Sequence, residues 1–145
     1  MLVFACDGEP TLVTFDIRPV APSLLSGSGK AGLQASGATG ALVLEVSVRG
    51  PADEISRAGT DPLEPNLIWH VVEGDCASWR EPGAASRHQV LYRWSPPPTR
   101  ADAMDFRAVI SRSDLDDLAR PHALLAFRNG GGPLYACGDL PPLGR

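Results

Sequence analysis

Ala41-Leu-Val-Leu-Glu-Val-Ser-Val-Arg49 is the stretch that decides the fold. Leu42, Leu44, Val46 and Val48 fall on one face, and Val43, Glu45, Ser47 and Arg49 on the other. A period of two belongs to a half-buried strand, because successive Cβ atoms in a strand point to opposite sides. The same period appears upstream in 11–19, where Val13, Phe15 and Ile17 alternate with Leu12, Thr14, Asp16 and Arg18. Downstream, Asn66 to Glu73, Gln89 to Ser95, Phe106 to Ser111, Ala123 to Arg128 and Leu134 to Gly138 have strand character. Lys30 to Ser36 reads as a weaker strand.

The segments between these strands read as breaks. Ser26-Gly-Ser-Gly29, Gly37-Ala-Thr-Gly40 and Asn129 to Gly132 read as turns. Pro51 to Pro65 and Cys76 to Arg87 read as long polar loops, a length that in compact domains tends to accompany function or mobility. Ser113 to Leu118 reads as one or two helical turns, with Ser113 as N-cap and the acidic residues suiting the first turn. Fifteen Gly and fourteen Pro, about a fifth of 145 residues, fit many turns and exclude a long-helix bundle. The expected fold is all-β: an eight-stranded antiparallel Greek-key sandwich or flattened barrel. Residues 1–10 read as an N-terminal tail or signal remnant, and 11–145 as a single β-sandwich domain. No run of about 18 apolar residues suggests a transmembrane helix.

Charge excludes one class of partner. The net charge is −4, and Lys30 is the one lysine among 13 basic residues. Broad nucleic-acid binding needs a basic footprint, so none is expected. Other catalytic signatures are missing. Gly130 to Gly132 is followed by no helix that would make a phosphate site, and no Ser lies in a Gly-x-Ser-x-Gly elbow. Asp114, Asp116 and Asp117 lack the Gly and Glu that a calcium loop requires.

Cysteines and histidines carry the remaining information. Cys76 follows the strand that contains Trp69 and His70, and Cys137 lies in the last strand. A bond between them would tie a loop after a middle strand to the C-terminal strand and would require an oxidising compartment. His70-Val-Val-Glu-Gly-Asp-Cys76 resembles the His-x-His…Gly-x-Cys segment of copper/zinc superoxide dismutases and their shorter bacterial relatives. Tyr135-Ala-Cys-Gly-Asp-Leu-Pro141 resembles the segment that holds the second half-cystine. Leu115 to Phe127 is similar to the stretch that ends in a copper-ligating His, and Ile17 to Gly27 to the first strand pair. The likeness spans residues 12 to 142. It implies an eight-stranded Greek-key barrel and a Cys76–Cys137 pair.

The chain departs from that family at the residues that perform its chemistry. Val72 stands where the second copper-ligating His belongs, and Phe127 where a later one belongs. Neither side chain can donate to a metal. The expected function is therefore that of a non-catalytic, extracytoplasmic binding or structural module, without a cofactor. Its partner would be an unidentified protein or envelope component. Ile68, His70, Val72 and Phe127 form the candidate binding patch. Cys6, in Leu2-Val-Phe-Ala-Cys6, resembles the lipid-modified Cys of a bacterial lipoprotein. The alternative is a copper or zinc protein, or a divergent dismutase, with a site rebuilt from His70, His88 and an acid such as Glu73 or Asp75. His122 sits at an odd offset from Phe127, which points it to the opposite face.

Overall fold

A computed structural model describes residues 11–34, 40–56, 66–79, 90–111, 120–128 and 133–142. Most of the described residues lie in eight strands: β1 (Val13–Pro19), β2 (Ser26–Gln34), β3 (Ala41–Arg49), β4 (Leu67–Glu73), β5 (Val90–Trp94), β6 (Ala103–Ser111), β7 (His122–Arg128) and β8 (Leu134–Asp139). Among the same residues lie two single-turn helices, α1 (Ala52–Ile55) and α2 (Cys76–Trp79). The strands hydrogen-bond in the order β5-β4-β7-β8-β1-β2-β3-β6, every pair antiparallel. The sheet curls into a nearly closed barrel, and the fold is all-β. The neighbours β3/β6, β4/β7 and β1/β8 are not consecutive in the chain, so the connections cross over.

The barrel fills with the inward residues of every strand. Leu42, Leu44, Val46 and Val48 of β3 are buried against Phe15 and Ile17 of β1, and Leu67, Trp69 and Val71 of β4 join the same core. Where the two ends of the sheet approach, aromatic rings fill the seam. Trp94 of β5 meets Phe106 of β6 edge-on at 5.4 Å between centroids, and Phe106 meets Trp69 at 5.2 Å. Edge-to-face pairs match the positive rim of one ring to the negative face of the other. The Trp69 indole N–H, fully buried, donates to the Met104 sulfur at 3.2 Å.

Several boundaries differ from the sequence expectation. Ser26-Gly-Ser-Gly29 is the first half of β2 and not a turn. Its alternation is polar against small, with Ser28 and Lys30 exposed while Gly29 and Ala31 are buried. The small side has a steric cause. A Cβ on Gly27 would lie 2.0 Å from the Ser47 carbonyl oxygen, and one on Gly29 would lie 2.5 Å from Cζ of Phe15. Glycine there lets β1 and β3 close over β2 and leaves room for the Phe15 ring.

Strand β6 begins at Ala103, three residues before the expected Phe106, because Ala103↔Arg49 and Met104↔Val48 extend the ladder. The expected loop from Pro51 opens with α1, whose Ile55 is fully buried. Asn66 Nδ2 donates to the Asp53 carbonyl at 2.8 Å and Ser23 Oγ to Glu54 at 2.9 Å, which holds α1 on the barrel end. The expected loop from Cys76 likewise opens with α2. The expected helical turn at 113–118 and the glycine turn at 130–132 lie outside the described residues, as do Cys6 and His88.

Gly27→Ala should destabilise the protein by about 1–3 kcal/mol, because backbone must move to admit the methyl group. Gly50→Ala, whose Cβ would come no closer than 3.2 Å to Leu25, should cost less. Urea unfolding midpoints of the two variants measure the difference.

Candidate functional site

Strand β4 has two apolar faces. Leu67, Trp69 and Val71 enter the barrel core, while Ile68, His70 and Val72 face outward. On β7 the same division sends Leu124 and Ala126 inward and Ala123, Leu125 and Phe127 outward. The register sets Ile68 opposite Phe127, His70 opposite Leu125 and Val72 opposite Ala123. The four patch residues named from the sequence therefore lie together. The His70 and Phe127 rings are 4.9 Å apart between centroids, tilted by 44°. Strand β5 adds Arg93 opposite His70 and Val90 opposite Val72.

Most of this outer face is a second, smaller core. Val72, Ala123, Leu125 and Cys137 are buried there together with Cys76 and Trp79 of α2. Contacts among the described residues hold α2 in place. Cys76 and Cys137 form a disulfide across a sequence separation of 61, with Cα atoms 5.9 Å apart. The Cys76 N–H donates to Asp139 Oδ1 at 2.8 Å. The Trp79 indole reaches the Glu73 carbonyl at 3.5 Å, a weak contact that leaves the ring mainly as an apolar cover. Closing a loop of that size constrains the unfolded chain by roughly 4 kcal/mol in the chain-entropy account.

The patch is thus unequal along β4. Val72 is completely covered, whereas Ile68, His70 and Phe127 are half-buried at the rim of the cover. Burial lowers the His70 pKa from its ordinary 6.5, and the nearby Arg93 charge lowers it further. Both effects favour the neutral ring at pH 7. Its Nδ1 is buried and has no hydrogen-bond partner among the described residues.

The other sequence candidates do not gather around His70. His122 is buried 2.8 Å through Nδ1 from the Arg120 carbonyl, so that nitrogen donates, and it lies opposite Glu73 in the ladder. Glu73 is 3.3 Å from Arg120 in an ion pair, and Asp75 accepts from the Ser78 N–H at 2.9 Å to start α2. Among the described residues no group of three or more His, Cys, Asp and Glu side chains is placed to hold a metal ion. Among the described residues the neighbours of His70 are Phe127, Leu125 and a guanidinium, which supply no donor for copper or zinc. These described neighbours do not fit a copper site.

From the sequence, Trp79 reads as one of several aromatics near the patch, with Tyr92 and Trp94; its role as a cover on α2, and the position of Arg93, do not follow from it. Trp79 follows Cys76 by three residues, the offset that puts both on one side of a helical turn, and that spacing could have flagged it. Arg93 could be tied to His70 only through the β4–β5 register, which a bulge between Val71 and Val72 shifts. No protein-family model, curated protein or solved structure matches this chain.

Titration of the folded, oxidised protein, expressed without lipid modification, with a thiol reagent should find one thiol, that of Cys6. Cys137→Ser should lower stability by about 3–5 kcal/mol, read from denaturant unfolding. The depressed His70 pKa sets a second expectation. The unfolded chain takes up a proton near pH 6.5 that the folded chain resists, so stability is fully present above that pH and falls as pH drops below it. Melting temperatures between pH 7.5 and 5 should fall less steeply in His70→Phe than in the wild type.

Proposed function

We propose that this chain is a non-catalytic, extracytoplasmic binding or structural module built on a superoxide-dismutase-like barrel. The observation that carries the reading is the apolar packing of the outer face, where Val72 and Phe127 stand at the positions that need imidazoles for copper. The Cys76–Cys137 bond supports it in two ways. It joins the two segments whose sequences resemble the half-cystine segments of that family, and it suits an oxidising compartment. Eight antiparallel strands in a nearly closed barrel agree with the resemblance at the level of architecture. A barrel of this kind hosts many activities, so function is argued from the site and not from the fold. In this reading Cys6 is the attachment point for a lipid that holds the domain at a bacterial envelope.

The competing reading is a copper or zinc site rebuilt at His70 and His88. The unpaired Nδ1 of His70 is the one observation in its favour. Metal analysis separates the two. After loading with copper or zinc and desalting, the protein should retain neither. Stoichiometric retention that is lost in His70→Ala would overturn the module reading.

A further inference from the structure

The half-buried rim of the outer face combines features that define a partner more closely. Ile68 and Phe127 face each other across β4 and β7, and one step along β4 lie His70 and Arg93. Arg93 is the sole charged side chain at the outward ladder positions of β4, β5 and β7 from Ile68 to Val72. The ion pairs among the described residues engage Arg18, Arg100, Arg107 and Arg120, and Arg93 takes part in none. Three carboxylates around α2 have other partners: Glu73 pairs with Arg120, Asp75 accepts from the Ser78 N–H and Asp139 from the Cys76 N–H. Among the described residues, a cation in no ion pair therefore sits beside an apolar pair and a half-buried imidazole.

We infer that the surface formed by Ile68, His70, Phe127 and Arg93 docks an extended, acidic segment of a partner protein, with a carboxylate at Arg93 and apolar side chains against Ile68 and Phe127. The inference rests on the proposed reading of the chain as a binding module. Charge complementarity selects the carboxylate, since an arginine fork takes a carboxylate through two parallel hydrogen bonds. A neutral His70 ring places no second positive charge beside Arg93, so the guanidinium supplies the charge of the patch. Strand spacing selects an extended segment, because side chains two residues apart on β4 stand about 6.8 Å apart and an extended partner repeats the same interval. The cover of Trp79 and the disulfide ends the patch at Val72, which limits the contact to a few residues.

The test is a chemical-shift titration of the 15N-labelled, oxidised protein with acetyl-leucyl-glutamyl-leucine amide, and with its glutaminyl counterpart. The acidic peptide should shift the amides of Ile68, His70, Arg93 and Phe127, with an affinity about tenfold above that of the glutaminyl peptide. Arg93→Gln, an exposed position, should bring the acidic peptide down to the level of the neutral one. Equal affinities for the two peptides, or no shift at those four residues, would overturn the inference. So would shifts centred instead on the groove that Lys30 of β2, Glu45 and Val46 of β3, and Phe106 and Arg107 of β6 line on another face of the barrel. The two readings fail separately. Stoichiometric metal at His70 removes the module reading, whereas a null titration of a protein that retains no metal removes the acidic partner alone.

Discussion

The Cys76–Cys137 bond lets one half of the barrel carry two apolar layers. A strand that is apolar on both faces needs cover on both, as in sheets flanked by helices. Here β4 and β7 have the barrel core beneath them and a single turn of helix above. Four residues of helix make too little local structure to stay in place unaided. The covalent link, with the Cys76 N–H to Asp139 hydrogen bond, supplies what propensity does not. Trp79 then shields Val72, Ala123 and Leu125 from water.

That arrangement also sets the chemistry available on the outer face. Carbon surrounds His70 on the side of Phe127 and Leu125, and a guanidinium stands on the side of β5. An imidazole so placed is pushed toward its neutral form by burial first and by Arg93 second. It has lone-pair capacity but, among the described residues, no neighbouring donor that would share a metal. The rim at Ile68, His70 and Phe127 stays half-buried.

The opposite half of the barrel depends on small residues. Phe15 points inward from β1 into space that Gly29 and Gly138 leave free, with Cβ positions that would fall 2.5 Å and 3.0 Å from its ring. This explains why Ser26 to Gly29 forms the first half of β2 despite a turn-like composition. A run of Ser and Gly signals a turn when judged by local propensity, since glycine costs conformational entropy in a strand. Neighbouring strands reversed that preference by filling the space above it. The apolar strands β3, β4, β7 and β8 were placed to within a residue or so, because hydrophobic period is a property of the segment itself. The aromatic seam between β5 and β6 was not legible, since it joins residues whose proximity exists only after closure.

Sequence by itself determined the all-β class, the number of strands and the face on which each apolar residue of β3 and β4 lies. Alternation is a local code, and burial of one face follows from it. It also determined that Val72 and Phe127 bring carbon, not nitrogen, to the outer face. Tertiary structure alone decided that α2 folds back as a cover, that Arg93 stands beside His70, and that Ile68 and Phe127 remain at an open rim. Those outcomes depend on register between strands distant in the chain and on the disulfide that fixes the cover. Neither is written in the periodicity of any one segment.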